Sequence, residues 1–527
     1  MAPEVEDAHD EHDHQDDHDS HDYVVSNSAE ESKGFTLGTS VAFDGGYFGV
    51  AVERFEREYG IPGHSHGGDE EINVTADLEQ TRIQLKGEHN LNNDYVNTVR
   101  LSGGFTEYEH AEIELGVAGT IFENDSSELK VDVLHKPFAD WNGAVSFHFK
   151  RSKVAAEGEE AFTPPSEEET LALSIMEEKH FGDVLLQVGA RVERVKLQAE
   201  NVLLPELETH AHHDEEEEDH GHDHEHDHDH GDDISVTRVF SADHDFTPVS
   251  LSAGLVWDFT PGYNLGLSVS RSERAPSASE LLSFGPHIGT RSYEVGALFA
   301  LHEHEDEMHI ELTEEVIDLE TANNIDLTLR KTQGDFGFIF NLFYNKVGNY
   351  YYQVNTGLFA ESGHDHDHGD EHDEHTDELP VYLFRTDDVV LHGFELQAAW
   401  QINDSFKTTF FSDYVRARLQ DGGDLPRTSP MRFGTTLSYE QNNISAQLDI
   451  TRYQEQNRIA AEETETDGYT LVDFNVSYDL PILEQDIQLY LKGKNLTDTE
   501  ARVHTSFLKD IAPRPGRSIA VGIQGFF

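Results

Sequence analysis

Apolar and polar residues alternate along most of this chain. Near the C-terminal end Ile519, Val521, Ile523 and Phe527 fall on one face of an extended segment, while Ala520, Gly522 and Gln524 fall on the other. The same period runs through Val472, Phe474, Val476, Tyr478 and Leu480, interleaved with Asp473, Asn475, Ser477 and Asp479. A period of two marks a β-strand with one apolar and one polar face. Such a strand suits a wall between lipid and a wet lumen, or between core and solvent in a soluble sandwich. One strand alone decides nothing.

The connections decide more. About nineteen segments of roughly ten residues alternate in this way, the length that membrane barrels use. Tight polar turns are expected at 44–46, 92–94, 137–143, 179–183, 260–263, 333–336, 402–405, 440–443 and 480–486, rich in Gly, Pro, Asn and Asp. Between them fall longer connections, near 59–69, 107–117, 155–168, 199–245, 273–320, 349–385, 418–429, 455–468 and 495–515. In an up-and-down antiparallel barrel every second connection emerges at the same rim. Short turns at one rim and long loops at the other are the asymmetry of outer-membrane barrels, with the short rim periplasmic. The expected fold is therefore all-β, a transmembrane antiparallel up-and-down β-barrel.

Composition fits that reading once the alternation is known. Of 527 residues 36% are hydrophobic and the mean hydropathy is -0.58. No apolar run approaches the roughly 18–20 residues of a membrane helix. The chain carries 36 Lys+Arg against 104 Asp+Glu, a formal net charge of -68. Such a surface repels nucleic acid and attracts cations. Cysteine is absent, which removes disulfides and thiolate metal sites, so any metal must be held by imidazole and carboxylate. The opening Met1-Ala-Pro-Glu4 shows neither the basic nor the apolar region of a signal peptide, and a fragment of a longer protein is expected.

Histidine changes the picture further. Most of the 33 histidines lie in tracts that alternate with acid, at 9–21, 210–230, 302–309 and 364–375, and a short Gly63-His-Ser-His66 follows Tyr59-Gly-Ile-Pro62. All fall on the long-loop side of the strand count. Neutral imidazole is the commonest nitrogen ligand of divalent transition metals, and carboxylates add charge and oxygen ligands. A floppy His-Asp repeat cannot hold one fixed site, because ordering it costs roughly 1–2 kcal/mol per residue. It binds several ions weakly and exchanges them fast, as His222, His224, His226, His228 and His230 are expected to do, with His364, His366 and His368 in the next tract. The alternative is a solvated acidic loop without a specific ligand. Zinc, nickel and copper(II) all accept these ligands.

Several segments then resemble the barrel of TonB-dependent outer-membrane receptors, and most closely their zinc-receptor branch. They are Gly46-Tyr-Phe-Gly-Val-Ala-Val52 running into Tyr59-Gly-Ile-Pro-Gly-His-Ser-His66, and Gly189-Ala-Arg-Val-Glu-Arg-Val-Lys196. Next come Ser272-Glu-Arg-Ala-Pro-Ser-Ala-Ser-Glu-Leu281, Gly285-Pro-His-Ile-Gly-Thr290 and Glu294-Val-Gly296. Lys494-Asn-Leu-Thr-Asp498 and Pro513-Arg-Pro-Gly-Arg517 complete the set. The resemblance covers the chain from about residue 34 onward. It implies a 22-stranded parent barrel filled by an N-terminal plug, with TonB supplying energy from the inner membrane. On that reading residues 1–33 are a His- and acid-rich extracellular loop remnant and 34–527 are about nineteen strands of the barrel, without the plug. The strand at 34–43 then corresponds to the family's fourth, and closure requires a parallel pairing or a gap between first and last strands, giving a distorted seam.

The resemblance implies capture of Zn2+ at the outer face and gated passage inward, in the outer membrane of a Gram-negative bacterium. The partners are the ion, outer-membrane lipid and, for the intact protein, the TonB complex. His64 and His66 stand two apart on a loop stiffened by Gly and Pro. His287 lies in a motif that borders the mouth in the relatives, and Glu193 on an inward-facing strand position near the extracellular end. Both have ordinary structural alternatives, and a lone His on a strand, such as His89, His135, His148 or His392, is more often structural. Rival cargoes are nickel, copper and a chelate such as a siderophore or haem, and a plugless passive pore is a further reading. Loops of acid and His, in place of aromatic and Arg, argue against an anionic chelate. No nucleophile elbow, phosphate loop or helical His-Glu-x-x-His appears, so no enzyme and no catalytic cofactor is expected.

Overall fold

A computed structural model describes residues 25–526 apart from 63–73, 92, 159–160, 205–208, 211–237, 305–306, 314–315, 362–377 and 483–484. Nineteen long strands follow one another, each antiparallel to the next. They are β1 Glu30–Phe43, β2 Gly46–Gly60, β3 Thr75–Asn90, β4 Val96–Glu114, β5 Val117–His135, β6 Asn142–Gly158, β7 Ser166–Phe181 and β8 Val184–Leu204. β9 comes in two parts, Arg238–Phe246 and Val249–Thr260, split at Thr247-Pro248, both of which pair with β8. β10 Tyr263–Arg274, β11 Glu320–Lys331, β12 Phe336–Glu361, β13 Glu378–Gln401 and β14 Phe406–Leu419 continue the wall. β15 Arg432–Gln441, β16 Ile444–Tyr453, β17 Tyr469–Ile482, β18 Gln485–Lys494 and β19 Ser518–Phe526 complete it.

Alternation builds the wall as expected. On β7, Leu171, Leu173 and Ile175 are exposed while Ala172 between them is buried. Exposed aromatic residues gather beside the short turns: Phe181, Phe259, Phe336, Trp400 and Phe406. That is the interfacial girdle of a membrane barrel, where amphipathic rings sit at headgroup level. No helix among the described residues is long and apolar enough to cross a membrane, which says nothing of crossing by strands.

Several connections are shorter than expected. The supposed excursion at 107–117 is a continuous hairpin whose 19-residue strands meet at Leu115-Gly116, both with positive φ. The connection expected at 349–385 is mostly ladder, because β12 and β13 run for 26 and 24 residues. At about 3.3 Å per residue and a tilt near 45°, such strands rise well beyond an apolar band of roughly 25 Å. Their upper halves stand in water, where polar residues alternate less clearly and read as loop. The first strand likewise starts at Glu30, a few residues before the expected boundary.

β1 and β19 run in the same direction, and no ladder joins them among the described residues. Both edges expose apolar side chains, including Phe35, Leu37 and Val41 on one and Ile519, Val521 and Ile523 on the other. Among the described residues, two clusters of buried side chains lie at the long-loop rim, where connections turn inward. Phe284, Tyr293, Val295, Phe299, Ala360, Leu379 and Val381 form one cluster there. Leu197, Leu281, Leu282 and Tyr351 belong to a second.

Candidate functional site

The connection between β10 and β11, residues 275–319, crosses the mouth. Its root is a clamp: Arg274 donates to both carboxylate oxygens of Glu280 at 2.8 and 2.9 Å and to Glu320 at 2.7 Å. Ser277 and Glu280 form a reciprocal capping box on the short helix α1 (Ala278–Leu282), satisfying amides that a helix start leaves open. The Arg-Ala-Pro…Glu-Leu segment is thus an anchor. Beyond it, Phe284–His287 pairs with Ser292–Val295, and 293–295 lie parallel to 381–383 of β13. Phe284 N–H donates to the Phe162 carbonyl at 2.6 Å, in the connection between β6 and β7. Gly285, at φ +154°, is required there, because a Cβ would come within 3.0 Å of Phe162 Cα.

This strap carries His287 into an aromatic seat. Its ring stacks on Phe162 at 4.2 Å between centroids, and its Nδ1–H donates to Glu294, which is almost fully buried, at 2.8 Å. No described group contacts Nε2 by hydrogen bond. A carboxylate on one ring nitrogen with the other open is how proteins orient a metal-binding imidazole. Phe162 in turn meets Phe122, on which His110 stacks at 4.5 Å. His110 Nδ1 lies 3.0 Å from the Tyr108 hydroxyl. Burial pushes the His110 imidazole down from its usual range, and His287 nearby adds to this. His110 escaped the sequence reading; its only signal is an even spacing within Glu107-Tyr-Glu-His110.

Glu193 stands on the face of β8 opposite the exposed Val192, inward as expected. It is occupied, however: Arg191 bonds it, and also reaches His148 Nδ1 at 3.1 Å, whose Nε2 meets Glu128 at 2.7 Å. No hydrogen bond or ion pair joins Glu193 to His287. His135 is a double donor, to the Lys136 carbonyl at 2.7 Å and to Glu177 at 2.9 Å. His504, nearly fully buried, lies between Thr466 at 2.9 Å and Glu463 at 3.3 Å. His64, His66, His222, His224, His226, His228, His230, His364, His366 and His368 lie outside the described residues. Among the described residues no three His, Asp or Glu side chains gather as a metal site.

A second feature departs from the sequence reading. A cavity of about 610 Å³ at the same rim is lined by Arg427, Tyr382, Phe507 and Tyr352. The Arg427 guanidinium lies 3.9 Å from the Phe507 ring centre, and among the described residues its one side-chain hydrogen bond goes to neutral Gln353. Burial pushes it down from its usual range. Glu463 is held instead by the Arg427 and Ala460 amides and by His504; burial alone would raise its pKa, and these contacts lower it. The residues come from β12, β13 and two loops distant in sequence, so no local pattern announces an Arg-aromatic pocket.

A continuous antiparallel wall, girdled by aromatics, with long connections folded over one rim, defines an outer-membrane receptor-type barrel. Residues 11–496 match the family described as TonB dependent receptor-like, beta-barrel, and the chain belongs to that family. Solved structures of similar fold include the copper transporter OprC, at 13% identity and a TM-score of 0.69, covering 95% of this chain and 73% of that one. The FrpB iron transporter from Neisseria meningitidis follows at 11% identity and 0.66, with coverage of 95% and 73%. The ferric yersiniabactin uptake receptor FyuA from Yersinia pestis has 12% identity and 0.58, with 94% and 71%. These likenesses concern the fold.

Proposed function

We propose that this chain is the barrel of an outer-membrane receptor that captures a divalent transition metal, Zn2+ by preference, and passes it inward with TonB-derived energy in the intact protein. One observation carries the reading. Described strands flank the segments 61–74, 205–237 and 362–377, and both ends of each lie at the rim where His287 sits. The imidazole-rich sequence is thus tethered to one side of the wall. The similar folds named above carry copper, iron and a ferric chelate, so a metal cargo agrees with the family, and the choice of zinc rests on the Gly-Ile-Pro-Gly-His-Ser-His resemblance. On this reading residues 1–33 belong to the metal-collecting rim and 34–527 to the barrel.

Capture begins with weak, rapidly exchanging sites in the His-Asp tracts, which raise the local ion concentration. His287, with Nε2 open and Nδ1 fixed by Glu294, is the next fixed imidazole toward the lumen. His64 and His66 supply further nitrogen ligands on their loop. Glu193 contributes field and no direct ligation while Arg191 holds it. The Arg427 cavity favours a second reading, a cargo that is an organic anion bearing the metal. Accumulation of radioactive zinc in cells expressing the protein, with and without TonB, separates the two. TonB-dependent accumulation of free zinc, weakly competed by nickel, is expected. Accumulation only of a chelated metal rejects the zinc reading.

A further inference from the structure

We propose that the rim cavity lined by Arg427 and Phe507 binds one carboxylate of a small ligand with an apolar body and no excess negative charge. A zwitterionic amino acid with an aromatic side chain is the simplest case. This ligand chemistry deepens the second reading above and rests on it only for the fate of the ligand after binding, while the site itself stands on its geometry.

The connection between β14 and β15 brings Arg427 to the cavity. β12, β13 and the connection between β18 and β19 bring Gln353, Tyr382 and Phe507. Arg427 has φ +52°, a left-handed backbone uncommon in a residue with a side chain, and its amide donates to Glu463 at 2.7 Å. The guanidinium lies 3.9 Å from the Phe507 ring centre and 6.0 Å from that of Tyr382. The two rings meet edge to face at 5.9 Å. A guanidinium laid on a ring has its plane fixed and keeps its edge of N–H donors for a partner. One of those donors reaches Gln353 at 3.3 Å. Among the described residues no carboxylate pairs with the Arg427 side chain, whereas Arg274 at the same rim meets two.

The forked donors of an arginine match a carboxylate, which accepts two parallel bonds. Such a partner, brought by a ligand, offsets the desolvation that pushes Arg427 down from its usual range. The cavity, about 610 Å³, falls within the roughly 300–1,000 Å³ of small-molecule sites, and Pro426 and Ile459 add apolar wall. Charge narrows the class further. Glu463 is held by two amides and His504, Asp387 by Tyr352 and Arg385, and Asp510 by Lys509 and Thr464. Asp421 and Glu462 line the same cavity and are exposed. In a chain of formal net charge -68, this lining repels a ligand with several negative charges. It favours one whose carboxylate is balanced by an ammonium or a bound cation. A polyanionic chelate is the wrong occupant.

The test uses the full chain purified in detergent, with L-phenylalanine, L-phenylalaninamide and 3-phenylpropionate as probes. The three share one apolar body and differ in the charges they carry. Equilibrium dialysis of labelled phenylalanine is expected to show one saturable site per chain. Phenylalaninamide, which lacks the carboxylate, is expected to compete at least about tenfold less well, and 3-phenylpropionate, which lacks the ammonium, less well than phenylalanine itself. Arg427→Gln is expected to weaken binding by about 10- to 100-fold, the loss of a charge-assisted pair, with heat-dependent gel mobility confirming that the variant keeps its barrel. Absence of saturable binding, equal competition by phenylalaninamide, or unchanged affinity in the folded Arg427→Gln variant overturns the site. Tighter binding of 3-phenylpropionate than of phenylalanine overturns the requirement for balanced charge. The second reading fails separately: probe binding without TonB-dependent accumulation of any chelated metal overturns that reading and leaves this site standing. Accumulation of chelated metal without probe binding overturns the site alone.

Discussion

Two His–Glu pairs sit at opposite rims of the barrel and differ instructively. His135 and Glu177, at the short-turn rim, are 2.9 Å apart, and His135 also donates to the Lys136 carbonyl. Both ring nitrogens are used, so the imidazole has nothing left to offer an ion. His287 and Glu294, at the mouth, are 2.8 Å apart, yet here the carboxylate is buried and only one nitrogen is engaged. The first pair fastens two strands. The second presents an oriented, open nitrogen from a strap laid across the mouth. Proximity of His to Glu does not distinguish a fastener from a ligand; the fate of the second nitrogen does.

The largest test of this contrast removes the strap's anchor. Arg274→Ala leaves Glu280 and Glu320 facing each other without a counter-charge. Because Arg274 is itself part-exposed, a cost of about 2–3 kcal/mol is expected, below that of a fully buried pair. Limited proteolysis is expected to cut within 275–319 and leave the turn near His135 intact; equal resistance to wild type breaks the argument. Gly285→Ala follows, at about 1–2 kcal/mol for forcing a side chain into a glycine conformation against Phe162. The readout is faster amide exchange at 284–295.

A direct comparison comes next. His287→Ala is expected to lower zinc affinity of the chain stripped of loosely held ions by about tenfold, roughly 1.4 kcal/mol, while His135→Ala leaves it unchanged. Equal losses in titration calorimetry would erase the distinction. The smallest effect is in pH. His110 is half-buried with its pKa below the unfolded value, so its stabilising contribution is complete above about pH 6.5 and is lost as pH falls below that. Strap amides near Phe162 are expected to show lower protection factors, corrected for the intrinsic pH dependence of amide exchange, at pH 5.5 than at pH 7.5, a difference that His110→Phe abolishes.

The wall was legible because alternation and turn residues are local. Val472 to Leu480 on β17 and the turns at Gly182 and Gly262 stand where the residues alone put them. The mouth was legible only in part. His287 and the Arg-Ala-Pro…Glu-Leu segment were singled out, but as a mouth motif, with no hint that Arg274 clamps Glu320 across 46 positions. His110 and Arg427 were missed because their partners, Phe122, Phe507 and Gln353, come from separate strands and loops. Glu193 was placed on the correct face, yet its engagement by Arg191 depends on side-chain geometry that spacing does not carry. The paired strands Phe299–His304 and Glu307–Leu312 read as one more acidic His tract, since Phe299 and Ile310 find their packing partners only in the folded mouth.

The turns of the short rim, two to six residues long, set each strand's register without reference to what lies at the opposite end. Closing a connection of twice the length costs only about 0.6 kcal/mol more, so insertions between β8 and β9 or between β12 and β13 leave the ladder untouched. The molecule is in this sense modular along its axis. Its capacity to gather ions is free to grow or shrink by whole repeats over generations, while the cylinder that must fit the membrane stays the same.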